Sequence, residues 1–379
     1  MIKVLQINKL FYPWIGGVET VVMQLVEGLA KDKDFEVGIL AGNENKKITN
    51  INYEWKGAKV YKASSLGIQF STPLSVSYPF VLHKLIKEYD VFHFHVPNPL
   101  GELSFFLNQI PKNKRVVVTV HADVQQTRWN FFAPAYNYFL KKLLNRADII
   151  TTMAPQNIDC FDCLKPYKEK CTVVPLAYDE THVCTVTEED KTKFRASFGL
   201  NEIRKTVIFV GRLSYYKGIS FLIDAIRQLK DTQLIIVGDG QLKEEIIKQI
   251  NELGLSERVI LTGFLRGHSL ACAYSVSDLF VLPSTTKSET FGIVQLEAMK
   301  FALPVINTNL PTGVTSVSIN GETGLTIQPS NVSALTKAIS TILNDDNLRK
   351  RFSQNALQRS ELFTPEIMVA NYKKVYCGQ

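Results

Sequence analysis

A chain of 379 residues is long enough for two domains, each with a core of its own. With 45% hydrophobic and 21% charged residues it has the balance of a soluble globular protein, and it contains no run of 18 apolar residues to span a membrane. The formal net charge of +7 is spread over both halves, unlike the clustered basic stripe of a nucleic-acid binder, so nucleic acid is not an expected partner. Such a charge suits a small acidic ligand or weak attraction to an anionic membrane surface.

The chain opens on residues 1–7, which read as a first strand rather than a secretory leader. A cytoplasmic location is the expectation, and with it six free thiols rather than disulfides. Cys160, Cys163, Cys171 and Cys184, with His182 nearby, are zinc-ligand types. Against a site, Cys160 and Cys163 stand one turn apart on an expected helix while Cys171 begins an apolar strand. No metal is expected.

In the first half, strands are expected at 3–7, 35–40, 59–61, 91–95, 115–121, 148–152 and 172–175. Between them lie a helix with an apolar face of Val21, Val22, Leu25, Val26 and Leu29, and others near 76–88, 103–108, 132–145 and 156–164. The alternation restarts at Thr206, with strands at 206–210, 233–237, 259–261, 279–282, 304–307 and 324–327. Helices follow near 219–229, 242–253, 269–274, 291–301 and 332–343. This is an α/β chain with two doubly wound, Rossmann-like domains and a ligand cleft between them. The expected division is 1–177, a polar linker at 178–190, 191–363, and a last helix in 364–379 that crosses back to the first domain.

Chemistry is expected at the carboxyl edges of the sheets, where open α/β folds bind ligands. Gly16-Gly17 lies between the first strand and first helix, where the backbone can approach a ligand or simply turn tightly; Glu19 follows as a first-turn acid. His93, His95 and His121 sit at strand ends, and His121, beside Asp123, is the best placed to touch a sugar hydroxyl. The stretch Arg128-Trp129-Asn130-Phe131-Phe132-Ala133-Pro134, continued by residues 136–146 with Lys141, Lys142 and Arg146, is either an interfacial membrane contact or a core helix with a basic outer face.

In the second half, Arg212 and Lys217 flank a strand-to-helix loop, and a guanidinium with an ammonium can balance a diphosphate. Gly238-Asp239-Gly240 and Gly263-Phe264-Leu265 close the next two strands, on the edge where a nucleobase could stack. The densest stretch is Ser288-Glu289-Thr290-Phe291-Gly292-Ile293-Val294-Gln295-Leu296-Glu297. Here a glycine turn enters an expected helix whose free N–H groups attract phosphate. Glu289 and Glu297 frame it, about 12 Å apart along the axis at ~1.5 Å per residue. Singly, each acid reads as a cap or a solvated helix residue; with Arg212 and Lys217 on the same edge, an anion site is the better reading.

Taken together, Gly16-Gly17-Val18-Glu19, His121-Ala122-Asp123, Arg212 with Lys217-Gly218, Gly238-Asp239-Gly240, and Glu289 with Glu297 resemble a retaining, nucleotide-sugar-dependent glycosyltransferase of the GT-B type, family 4 (group 1). The resemblance covers essentially the whole chain. It implies that Arg212 and Lys217 neutralise the departing diphosphate, that Glu289 holds donor-sugar hydroxyls and that the amides of Phe291, Gly292, Ile293 and Val294 meet the phosphates. Glu297 would take the ribose, Gly16 and Gly17 would lie near the phosphates, and His121 would contact the transferred sugar. It implies a nucleotide diphosphate sugar as co-substrate (GDP-mannose or a UDP-hexose), no cofactor and no bound metal, in keeping with the missing Asp-x-Asp signature. The implied acceptor is a glycan, lipid-linked, reached from the cytoplasmic face of the inner membrane, in surface polysaccharide or O-antigen assembly. A nucleotide-sugar epimerase, a glycan phosphorylase or a non-catalytic assembly subunit on the same scaffold are the alternatives. The chain departs from the family pattern at Ser214-Tyr215-Tyr216 and at Val174-Pro175-Leu176-Ala177-Tyr178-Asp179.

Overall fold

The computed structural model describes residues 1–69, 72–123 and 133–378. The chain divides into two compact units, one running to Leu176 and including the C-terminal helix Pro365–Cys377, the other spanning Ala177–Thr364.

The first unit is built on β1 (Ile2–Ile7), β2 (Phe35–Gly42), β3 (Ile51–Trp55), β4 (Ala58–Ala63), a two-residue pair β5 (Ile68–Gln69) and β6 (Thr72–Pro73), β7 (Val91–Val96), β8 (Arg115–Val120), β9 (Ile149–Thr152) and β10 (Cys171–Val173). Eight of these strands form one sheet in the order β10-β9-β8-β7-β1-β2-β4-β3, parallel except where β3 turns back on β4. The helices are α1 (Gly17–Ala30), α2 (Tyr78–Leu85), α3 (Pro99–Leu107), α4 (Ala133–Arg146) and α5 (Pro155–Cys160). α1 buries Val21, Val22, Leu25, Val26 and Leu29, the face its spacing predicts. It packs on the C-terminal helix at Gly28, where a Cβ would come 2.5 Å from Val369 Cγ2, so the missing side chain sets how closely the two helices approach.

Three expectations are corrected here. α2 spans Tyr78–Leu85 rather than 76–88, because Pro79 belongs in a first turn and Ser77 is the N-cap. α5 stops at Cys160, which leaves Cys163 outside the helix. The last strand, Cys171–Val173, ends before Pro175.

The second unit holds β11 (Lys205–Val210), β12 (Thr232–Val237), β13 (Val259–Gly263), β14 (Leu279–Val281), β15 (Val305–Thr308) and β16 (Gly324–Ile327), all parallel in the order β13-β12-β11-β14-β15-β16. Its helices are α6 (Glu188–Phe198), α7 (Ile219–Arg227), α8 (Lys243–Glu252), α9 (Gly267–Ser275), α10 (Val294–Lys300), α11 (Val314–Val317), α12 (Val332–Asn344) and α13 (Asp346–Ser360). α6 has no counterpart in the sequence expectations, yet its signals are local. Thr187 and Asp190 form a reciprocal capping box, and Gly199 ends the helix at φ +63°.

The helix expected over 291–301 is corrected as well. Gly292 has φ +76°, a left-handed conformation that a helix cannot propagate through, so α10 begins only at Val294. No helix among the described residues is long and apolar enough to cross a membrane.

Candidate active site

The strand order of the second unit reverses between β11 and β14, and the loops that leave their carboxyl ends diverge there. The two loops are bound together. The amide of Thr285 donates to the Tyr216 carbonyl at 2.8 Å. A Cβ on Gly218, which has φ +67°, would fall 2.1 Å from the Pro283 carbonyl oxygen.

This close fit turns the one-turn helix Tyr215–Lys217 inward. Lys217 Nζ lies 2.5 Å from Glu289 Oε2, with both side chains only 9% exposed. Ser284 Oγ donates to the same Oε2 at 2.8 Å, so Oε1 keeps its capacity to accept from a ligand. Thr312 Oγ1 donates to the Glu289 carbonyl at 2.6 Å and fixes the backbone. Burial pushes the Lys217 ammonium down, but the Glu289 charge outweighs it and holds the group above its ordinary value. The ammonium therefore stays charged beside its carboxylate.

The turn that follows is shaped from beneath by Gln295. Its Nε2 donates to the Phe291 carbonyl at 3.1 Å and the Val314 carbonyl at 3.3 Å, while its Oε1 accepts from Asn307 Nδ2 at 2.9 Å. The amides of Phe291, Gly292 and Ile293 donate no hydrogen bond among the described residues. Three unspent donors thus lie two to four residues beyond Glu289. Arg212, exposed on the loop after β11, makes no hydrogen bond or ion pair among the described residues, and its guanidinium is available to an anion.

Glu297 on α10 is buried with both oxygens engaged. Tyr274 Oη donates to Oε2 at 2.9 Å, and His182 Nδ1 lies 3.2 Å from Oε1. Burial draws His182 down, and the Glu297 bond and charge more than offset it, leaving the imidazole above its ordinary value. Neither Tyr274 nor His182 was singled out for this role from sequence. His182 comes from the segment expected as a linker, 115 residues from its partner.

Gly238 and Gly240 occupy the loop after β12. A Cβ on either would meet a backbone oxygen, that of Gly211 at 2.0 Å or Leu213 at 2.4 Å. Loop-on-loop packing already accounts for both glycines. Phe264, after β13, is 60% exposed and carries the Arg266 guanidinium 4.7 Å from its ring centre.

The remaining candidates belong to the first unit. Gly16 is extended at φ −163°, and the space beside it holds Glu19 Oε2, 2.4 Å from where a Cβ would be. Gly17 has nothing within 4 Å of its missing Cβ. Glu19 is buried with Oε1 unpartnered, and burial raises its carboxyl against the pull of Lys9. His121 is buried at the end of β8 with Nε2 3.1 Å from His95 Nδ1; burial, then the Lys9 charge, lowers it to about 3. The Oδ2 of Asp123 accepts from the Asp162 amide at 2.7 Å.

A family model for group 1 glycosyl transferases matches residues 190–359, and one for glycosyltransferase family 4 matches residues 15–182. D-rhamnosyltransferase WbpZ of Pseudomonas aeruginosa is 30% identical over 92% of this chain and 89% of its own. The chain belongs to glycosyltransferase family 4. This transferase is also 28% identical to O-antigen chain mannosyltransferase C of Escherichia coli, over 99% of the chain and 98% of that protein. Sucrose-phosphate synthase from Thermosynechococcus elongatus matches it with a TM-score of 0.80 at 21% identity, covering 100% and 99% of the two chains, which shows the GT-B fold.

Two further features of the transferase bear on the sequence expectations. Cys160, Cys163 and Cys171 pack, partly buried, against the core of the first unit, whereas His182 and Cys184 belong to the second. Residues 128–132 of the aromatic-basic stretch lie outside the described residues. Its continuation, α4, has two faces: Tyr136, Leu140, Leu143 and Leu144 are buried, while Tyr138 is 50% exposed beside Phe106, at 42%, with Lys142 Nζ 5.4 Å from the Tyr138 ring.

One acid escaped the sequence reading. Glu102, in the first turn of α3, is fully buried. Its Oε1 accepts from Tyr136 Oη at 2.6 Å and from the Asn98 amide at 3.0 Å, and Oε2 has no partner among the described residues. Burial pushes its carboxyl up to about 7 against the Tyr136 bond. A first-turn acid looks solvated in sequence; only the packing of α4 over α3 buries it.

Proposed function

We propose that the transferase moves a hexose from a nucleotide diphosphate sugar, GDP-mannose or a UDP-hexose, to a lipid-linked glycan during surface polysaccharide assembly, with retention at the anomeric carbon. The reading rests above all on the buried Lys217–Glu289 pair at the β11/β14 switch point, with unspent amides and a free guanidinium beside it. Negative charge grows on the diphosphate as the glycosidic bond breaks, and preorganised donors aimed at such charge are the strongest lever an active site has. Arg212 and Lys217 supply the cations and Phe291–Val294 the amides. Glu289, with Oε2 committed to Lys217 and Ser284, offers Oε1 to a sugar hydroxyl. Glu297 takes the ribose hydroxyls once His182 yields Oε1. Phe264 gives the base a surface, and Gly238 and Gly240 let the loops beneath it close. In the first unit, His121 meets a hydroxyl of the transferred sugar and the open space at Gly17 admits phosphate.

The mechanism proposed is attack on the face of departure, with no metal or cofactor, since none of the candidate residues reads as a covalent nucleophile. The mannosyl- and rhamnosyltransferase relatives support a hexose donor and a polysaccharide product. For the acceptor, we assign the exposed Phe106, Tyr138, Lys141 and Lys142 to peripheral contact with an anionic bilayer at the cytoplasmic face. Incubating the protein with a panel of nucleotide sugars, with and without lipid-linked glycan, tests the reading: nucleoside diphosphate release that requires acceptor is expected. Isomerised sugar nucleotide without acceptor, or dependence on free phosphate, would replace it with an epimerase or a phosphorylase.

A further inference from the structure

A chain of hydrogen bonds crosses the sheet of the first unit from the C-terminal helix to His121, and its proton count has a consequence. Gln6 on β1, His93 and His95 on β7, Thr119 on β8 and Tyr376 on the C-terminal helix are all buried. Gln6 is the branch point. Its Nε2 donates to Tyr376 Oη at 2.9 Å, and its Oε1 accepts from His95 Nε2 at 2.8 Å.

Each bond then dictates the next. Tyr376 Oη accepts from Gln6, so its single proton goes to His93 Nδ1 at 2.7 Å, and His93 Nε2–H donates to Thr119 Oγ1 at 2.6 Å. On the other branch, His95 spends its proton from Nε2, so its Nδ1 is bare and accepts from His121 Nε2–H at 3.1 Å. With the Gln6 amide in this orientation, all three imidazoles are neutral Nε2–H tautomers. A second proton on His95 would oblige His121 to give up its Nε2 proton, and burial already depresses both His93 and His95 far below the ordinary histidine value. Rotating the Gln6 amide by half a turn would reverse every donor along the chain.

We propose that Gln6 and His95 are positioning residues that hold His121 as its Nε2–H tautomer, so that a bare Nδ1 accepts a hydrogen bond from a hydroxyl of the ligand, with Tyr376 of the C-terminal helix anchoring the Gln6 amide. The ligand part of this rests on the assignment of His121 to the transferred sugar; the tautomer part does not. His121 is then an acceptor, never an acid.

Long-range 1H–15N spectra of the full chain at neutral pH test it without any ligand. Wild type is expected to show His121 with a protonated Nε2 and a bare Nδ1. Gln6→Leu, or His95→Phe should the first not fold, is expected to give the averaged shifts of mixed tautomers and a fall in turnover on the order of tenfold. Tyr372→Phe, which touches Thr119 but not Gln6, is expected to lower stability and leave the His121 shifts alone. A protonated Nδ1 in wild type, or unmixed Nε2–H shifts in both Gln6→Leu and His95→Phe, would overturn the proposal. Mixed tautomers with unaltered turnover would instead leave the relay standing and remove His121 from the sugar.

Discussion

The carboxyl edges of the two sheets handle buried titratable groups in opposite ways. In the second unit the partners favour the charged form: Glu289 holds the Lys217 ammonium, and Glu297 raises His182 above its ordinary value. Around β7 and β8 of the first unit charge is instead suppressed: His93, His95 and His121 are held neutral and burial pushes Glu102 up to about 7, while Lys62 on β4 keeps a carboxylate partner in Glu44. An edge that must balance a diphosphate needs fixed charges of known geometry, and a charge buried with its partner supplies one without leaving the site to water. An edge that meets hydroxyl groups needs donors and acceptors in a fixed order, which neutral side chains give and a mobile proton would scramble. The same burial therefore favours the charged or the neutral form of a group, depending on whether a counter-charge lies within reach.

The contrast can be broken most forcefully at Lys217. In Lys217→Ala the Glu289 carboxylate is left buried beside Ser284 alone, and losing one partner of a buried pair costs about 3–5 kcal/mol. Urea unfolding should show that loss; a change below about 1 kcal/mol would mean that water reaches the pair freely.

Glu102 tests the neutral edge through pH. Below its ordinary value of 4.5 the carboxyl is protonated folded and unfolded alike. Between there and about 7 the unfolded chain ionises while the folded one does not, so stability falls as pH rises through that window. At ~1.4 kcal/mol per pH unit the total is roughly 3 kcal/mol. Glu102→Gln should flatten that slope, read as denaturation midpoints against pH. A slope that survives the substitution would place its origin elsewhere.

The glycines separate packing from ligand approach. Gly238→Ala puts a methyl 2.0 Å from the Gly211 carbonyl oxygen at a φ of +140°, and a loss of about 1–3 kcal/mol is expected in thermal unfolding. Gly17→Ala meets nothing within 4 Å, so stability should stay within about 0.5 kcal/mol. If phosphate passes close to Gly17, its turnover should fall all the same. Equal loss of stability in both variants would erase the distinction.

Much of this was legible beforehand because it is local. Strand and helix alternation follows from apolar spacing, and the loops bearing Arg212, Lys217 and Glu289, with the helix bearing Glu297, were expected at the edge where they lie. What the sequence hid is non-local. Glu297 was expected to be open to a ribose, yet Tyr274 and His182 engage both its oxygens, and nothing near His182 in the chain marks it as their partner. The helix expected from Phe291 failed on one glycine, since apolar spacing cannot show that Gly292 takes φ +76°. Gly238 and Gly240 read equally well as ligand glycines until the neighbouring loop is seen 2.0 and 2.4 Å from their missing Cβ atoms.

Arg212 offers the most direct test of the donor-site account, because it is exposed and makes no hydrogen bond or ion pair among the described residues. Turnover of Arg212→Ala should be measured on the nucleotide sugar that the wild type uses, beside the melting temperature of both proteins. The account predicts an unchanged melting temperature and a kcat lowered by roughly 10²-fold or more, as for a cation stabilising charge in the transition state. Turnover within a few-fold of wild type would contradict it.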